Sequence, residues 1–241
     1  MTDQDLNPEQ QAMVETWERH MAAEFKTKNI DATMATMTSD PFVNHVPVMT
    51  GGVGYDEVRH FYSTYFIPCQ PPDTDFVPVT RTVGKDRIVD ELIHKFTHTI
   101  EMPWILPGLA PTGRRVEIAV VVVVQFKDGK IAGEHIYWDQ ASVLAQVGLI
   151  DAEKLPAAGI EASRKVIDAS QEPSNSLIKR GAVTTQRVRN SYIEGLILWQ
   201  PIVPARRIPS SSIRWMLRWR AAAEVRVIRS RHLGSDSEDF L

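Results

Sequence analysis

The sequence predicts an α+β domain in which a curved antiparallel or mixed sheet wraps around N-terminal helices. Three observations predict it. Helix-period apolar spacing is concentrated in residues 13–65, first as Met13, Trp17, Met21 and Phe25, then as Val58, Phe61, Tyr62 and Tyr65. Strand-type runs separated by turn residues fill residues 76–138. One of them, residues 120–124, is an unbroken valine run, as expected of a central strand covered on both faces.

The elements follow in order. Residues 8–28 form an amphipathic helix with Asn7 as cap, Pro8 in the first turn, and Glu15, Glu18 and Glu24 interspersed among its apolar positions. A short helix over 30–37 is broken by Ser39-Asp40-Pro41, and 42–48 is extended. Gly51, Gly52 and Gly54 turn the chain into a helix over 55–66. Strands are expected over 76–83, 87–101, 116–126 and 131–138, with Asp128-Gly129 as the tight turn of the last hairpin. A final helix is expected over 157–169.

Composition excludes more than it assigns. The chain of 241 residues is 43% hydrophobic and 24% charged, with a net charge of −3. The single cysteine, Cys69, rules out a disulfide within the chain and suggests a reducing compartment. The acidic, polar N-terminus has no secretory character, and no apolar run reaches membrane-spanning length, so a cytoplasmic protein without membrane or nucleic-acid partners is expected. Of the 27 Lys and Arg, ten fall after Arg180, and all ten are arginine. This break suggests a domain over 1–180 and an unrelated Arg-rich tail over 181–241, disordered or partly helical. The tail's basic helical stretch is compatible with a membrane surface or acidic partner, but its prolines and serine run favour a disordered tail, and an incorrectly translated gene end is a further alternative.

The hairpin register places the candidate chemistry. If Asp128-Gly129 is a two-residue turn, Lys127 faces Lys130, Asp139 faces Ile118, Tyr137 faces Val120, and His135 faces Val122. His135, Tyr137 and Asp139 then share one face of the sheet. On the preceding strand Asp90, Leu92, His94, Phe96 and His98 share a face, and a compact pairing sets His98 beside Ile118, two strands from Asp139. Phe96 and Ile118 would give the apolar wall that turns Asp139 into a proton acceptor near neutrality. Asp139 equally well caps the helix that follows it, and both readings stand. His45, Tyr62 and Trp104 complete the candidate lining, against the plainer alternatives of packing and loop anchoring. His94 and His98 would lie about 13 Å apart along a strand, too far to share a metal ion. The sequence has no HExxH helix, cysteine cluster, phosphate-binding glycine loop or Gly-x-Ser-x-Gly elbow, so neither metal nor cofactor is expected.

The order of elements, together with VNHVPVMTGG, VGKDRIVDE, FTHT, PWILPG, APTGR, FKDGKI and above all EHIYWDQASVLAQVGL, resembles the SnoaL-like polyketide cyclase branch of the nuclear transport factor two-like superfamily. The resemblance covers residues 1–180. It implies a cone-shaped pocket for a small hydrophobic substrate and a homodimer. It also implies an acid/base aspartate at the position of Asp139, and the register reading adds His98 as the group that polarises the substrate oxygen or relays the proton. Cofactor-independent cyclase, isomerase or dehydratase chemistry on a small carbonyl compound is the expected activity. A non-catalytic ligand-binding or scaffolding protein of the same fold is the alternative.

Overall fold

The computed structural model describes residues 6–181. The expectations for the Arg-rich tail lie outside the described residues. Helix α1 (Pro8–Met21) begins in a capping box: Asn7 Oδ1 accepts from the Gln10 N–H at 2.9 Å, and Gln10 Oε1 accepts from the Asn7 N–H at 3.1 Å. It runs without interruption into a π-helical turn, Ala22–Lys26. Helix α2 (Ile30–Ala35) leads to strand β1 (Met37–His45) and the short β2 (Thr50–Val53). Helix α3 (Tyr55–Phe61) also passes into a π-helical turn, Tyr62–Phe66. Strands β3 (Asp75–Val83), β4 (Arg87–Thr97), β5 (Arg115–Lys127) and β6 (Lys130–Trp138) follow, then the short helices α4 (Gln140–Gln146) and α5 (Glu161–Ile167).

The six strands form one mixed sheet in the order β2-β1-β6-β5-β4-β3. Only β1 and β6 run parallel. The core fills the concave side, where Met13, Trp17, Phe61 and Phe66 meet Leu92, Ile118, Val120 and Ile136. Ser163 Oγ and Gln146 Nε2 donate to the Glu117 carbonyl at 2.7 and 3.1 Å, holding α5 and α4 against β5, and Val143 and Val147 of α4 join the same core. Along β5, Val120, Val122 and Val124 are buried while Val121 and Val123 are half-buried. The valine run is therefore fully covered on one face only.

Three local departures from the expected pattern decide where side chains point. The π-helical turn after α3 adds a residue to the helical repeat and slips the phase of the buried stripe. After Tyr62 the next inward residue is Phe66, and Tyr65 is 43% exposed instead of lining the core. In the first helix Trp17, His20 and Glu24 keep the ordinary three-and-four spacing, which turns Glu24 inward, where it is only 3% exposed. Strand β1 runs straight through Ser39-Asp40-Pro41, which the strand absorbs as an irregularity between Met37 and Phe42.

The third departure reverses a face. Asp128 and Gly129 form the tight turn with φ of 52° and 72°, and Lys127 faces Lys130. Beyond it the register shifts between Gln125 and Phe126, because β6 carries one extra residue around Ala132. Val120 therefore faces Trp138, Val122 faces Ile136, and Val124 faces Glu134. A one-residue slip exchanges the two faces of a strand. Glu134, Ile136 and Trp138 take the concave side, and the expected trio of His135, Tyr137 and Asp139 is turned away from it.

Candidate functional site

The concave side encloses a cavity of about 60 Å³ lined by α1, the two π-helical turns, the Trp104–Ile105 loop and strands β1, β3, β4, β5 and β6. Its wall is mostly aromatic and aliphatic, and it contains Trp17, Phe66, Trp104 and Trp138. Five polar side chains join that lining: Glu24, His45, Tyr62, His94 and Glu134. No Lys or Arg is among the lining residues.

Three of these polar side chains, Glu24, Tyr62 and Glu134, form a single cluster with His20 at one end. His20, fully buried behind the lining, places Nε2 3.0 Å from Glu24 Oε1 and 3.2 Å from Glu134 Oε1. Its Nδ1 lies 2.6 Å from Thr36 Oγ1, and its ring stacks on Trp17 at 5.5 Å. The Tyr62 hydroxyl donates to Glu134 Oε1 at 3.1 Å and sits 3.2 Å from His20 Nε2. Burial alone would lower the His20 pKa, but the two neighbouring carboxylates override it and push it up to about 10. Burial raises the Glu24 carboxyl against the pull of His20, and lifts the Tyr62 phenol well above its ordinary value. The cluster thus holds an imidazolium between two carboxylates in an apolar surround.

The other polar lining is a pair of neutral imidazoles around Trp104. The His45 and His94 rings lie 5.3 and 5.7 Å from the Trp104 ring. Burial, reinforced by His94, lowers His45 to about 3, and burial alone lowers His94 to about 3. His45 Nδ1 and His94 Nε2 are buried and have no hydrogen-bond partner. Trp104 is held by its backbone carbonyl, which accepts from Thr50 Oγ1 at 2.7 Å, and by its indole N–H, which donates to the Cys69 carbonyl at 3.4 Å.

Of the residues singled out in the sequence, His45, Tyr62, Trp104 and Ile118 line this cavity. The others are placed elsewhere. Asp139 is an exposed N-cap of α4, its Oδ1 accepting from the Ala141 and Ser142 N–H groups at 2.9 and 3.1 Å. His98 is buried past the end of β4, its Nδ1 accepting from the Thr112 N–H at 3.3 Å. The register sets His94, not His98, opposite Ile118. Phe96 packs against the His94 ring at 4.9 Å, behind the lining. His135 meets the Phe42 ring at 4.9 Å and Asn44 on the outer face, where Tyr137 is 44% exposed. Asp139 and His98 therefore do not converge on a pocket, for the register reason given above.

His20, Glu24 and Glu134 are the polar groups that the sequence reading passed over. His20 and Glu24 stand three and seven residues after Trp17, at the edge of the apolar stripe. Gly133, inside a strand, was a signal for the bulge that brings Glu134 inward.

Residues 17–134 match the SnoaL-like domain family. No curated protein matches the chain. Among solved structures, a provisionally assigned SnoaL-like polyketide cyclase from Jannaschia sp. CCS1 is similar with a TM-score of 0.51 at 19% identity, over 61% of this chain and 99% of that one. TsrD from Streptomyces laurentii has a TM-score of 0.47 at 15% identity, over 61% of this chain and 100% of that one. An NTF2-like protein of unknown function from Burkholderia pseudomallei has a TM-score of 0.45 at 18% identity, over 57% and 98%. At these identities the likeness is one of fold.

Proposed function

We propose, from the match of residues 17–134 to the SnoaL-like domain family and the division of polar groups in the cavity, that the chain is an acid/base enzyme of SnoaL-like type acting on a small, largely apolar carbonyl compound. The observation that carries this reading is the division of the cavity's polar groups. Glu134 and Glu24, with the proton-rich His20 behind them, lie at one end, and the unpartnered neutral imidazoles of His45 and His94 line another part.

Glu134 is the base in this reading. It takes a proton from the carbon next to the carbonyl, and the electron pair passes to the carbonyl oxygen as an enolate. A neutral imidazole N–H of His45 or His94 hydrogen-bonds that oxygen, which is a more useful donor than one already fully charged and solvated. The proton then returns to the same or a different carbon, which gives isomerisation, or the enolate attacks a second carbonyl, which gives ring closure. Glu24, whose carboxyl burial holds above the usual range, is the neighbouring proton store. Tyr62 and His20 orient Glu134 and are positioning residues. Apolar walls favour this chemistry because they strengthen each of these interactions relative to water.

The test is proton exchange. Acetone, cyclopentanone and acetylacetone are incubated with the protein in D2O, and loss of the α-proton signal is followed by NMR. The reading expects exchange above the buffer rate with at least one ketone, reduced roughly 100-fold or more in Glu134→Gln. Unchanged exchange in that variant would overturn the assignment of the base. Ketones that bind without exchanging would favour the second reading, a non-catalytic carrier of small ligands, which the modest cavity volume also fits.

A further inference from the structure

The cavity does not end at solid protein. A groove of about 370 Å³ runs along the outside, between α1 with its π-helical turn and the β3–β4 hairpin, and it is lined by Ala22, Lys26, Pro78, Val79, Thr80 and Arg81 among others. Four side chains line both spaces: Met21, Phe25, Phe76 and Leu92. Met21, Phe25 and Phe76 are each half-buried, so each is reached from the groove while also facing the cavity. A side chain in that position makes a wall one residue thick. The Phe25 and Phe76 rings meet edge to face at 4.6 Å, and Phe76 stacks on His94 at 4.6 Å. The partition is therefore a pair of aromatic rings, with one of the cavity's unpartnered imidazoles directly behind it.

Volume and chain path both join the two spaces. Sites for small organic ligands usually run to roughly 300–1,000 Å³, and the cavity of about 60 Å³ is far below that by itself. The π-helical turn supplies both sides at once: Glu24 faces the cavity, Phe25 stands in the partition, and Ala22 and Lys26 line the groove. Rotation of aromatic side chains about χ1 and χ2 is the kind of motion that opens such a wall without moving the backbone.

We infer that the cavity and the groove are two halves of one binding site divided by the Phe25–Phe76 partition, and that the ligand is an elongated neutral carbonyl compound with its carbonyl end in the cavity and an apolar tail in the groove. The neutral head follows from the lining, which offers carboxylates and neutral imidazoles and no cationic side chain to receive an anion. The apolar tail follows from the groove floor of Met21, Phe25, Phe76, Pro78, Val79 and Leu92. This inference rests on the reading of the cavity as a site for carbonyl compounds, and its test uses binding so that it does not depend on turnover.

The probes are the straight-chain methyl ketones from acetone to methyl hexyl ketone, titrated into the full chain while the indole N–H signals of Trp17, Trp104 and Trp138 are followed by NMR. The expected result is affinity that continues to rise with chain length, by up to about fourfold per methylene, and a ratio of long-chain to short-chain affinity that collapses in Thr80→Trp, where the groove is filled. Phe25→Ala is expected to accelerate association of the longer ketones. Affinity that levels off after the shortest members, or a ratio that Thr80→Trp leaves intact, overturns the two-part site while leaving the cavity reading in place. Failure of every ketone to bind overturns both.

Discussion

The ring of Phe42 lies where a side chain on Gly133 would stand: a Cβ built there would be 2.1 Å from Phe42 Cε1 and 2.3 Å from Cζ. The two residues are also cross-strand partners in the parallel β1–β6 pair. Gly133 adjoins the irregularity that moves β6 by one residue, so Phe42 covers the point at which the strand changes face.

Gly133→Ala is therefore expected to cost about 1–3 kcal/mol, the usual penalty for an added methyl that packed neighbours must yield to. Phe42→Leu should be mildly destabilising alone and should recover part of the loss in combination with Gly133→Ala. Urea unfolding of the two single variants and the double variant measures this, and additive losses would separate Phe42 from the effect.

Much of the fold was legible because it follows local pattern. Asn7 and Pro8 announce α1, Asp128-Gly129 announces the last hairpin, and alternation along β4 correctly put Asp90, Leu92, His94, Phe96 and His98 on one side. The site was less legible because it depends on insertions of a single residue. The π-helical turn after α3 brings in Phe66, and the extra residue near Ala132 turns Glu134 inward and Asp139 outward. Period counting assumes that each element keeps its phase from end to end, and such insertions break that assumption at small energetic cost. The resemblance in EHIYWDQ pointed to Asp139, which the register of β6 turns to the outer face, while Glu134 of the same strand lines the cavity.

Asp139 then has a simple expected behaviour. Asp139→Ala removes the acceptor for the Ala141 and Ser142 N–H groups and should cost about 1 kcal/mol. Asp139→Asn keeps an acceptor of the same shape and should cost only a fraction of that. Neither should change ketone binding in the cavity. Thermal unfolding and the indole NMR titration read the two effects separately, and loss of binding in Asp139→Asn would return this residue to the site.

The buried histidines predict stability that falls on both sides of neutrality. His20, raised from 6.5 to about 10, favours the folded state most fully below its unfolded value, and that contribution is lost as pH climbs through 10. His45 and His94, lowered from 6.5 to about 3, work the other way: the unfolded chain takes up their protons first, so stability drains as pH falls from about 6.5 toward 3. Glu24 opposes them in acid, since its raised carboxyl favours the protonated folded form, but one such group faces two imidazoles. Urea midpoints measured from pH 4 to pH 10 should decline in both directions from near neutrality, and His94→Phe should flatten the acid limb. Equal stability at pH 5 and pH 7 would contradict this account.

The largest single loss is expected at His20. Among the described residues its imidazolium is the one cation in contact with both Glu24 and Glu134, and all three side chains are buried. Removing the partner of a buried charge leaves the charge uncompensated, at a cost of about 3–5 kcal/mol. His20→Leu, which also keeps apolar contact with the Trp17 ring, should fall in that range, and the protein should respond by protonating one carboxylate more readily. If so, Glu24→Gln placed on top of His20→Leu removes a charge that no longer has a partner and should restore stability, although Glu24→Gln alone destabilises by stripping His20 of one counter-ion. That reversal of sign separates an electrostatic cluster from simple packing, because lost packing would add with the same sign in both backgrounds. Tyr62→Phe gives the complementary reading: it removes one hydrogen bond to Glu134 and leaves every charge in place, so it should cost about 1–3 kcal/mol and show no reversal. A His20→Leu protein as stable as the parent would contradict this account of the cluster.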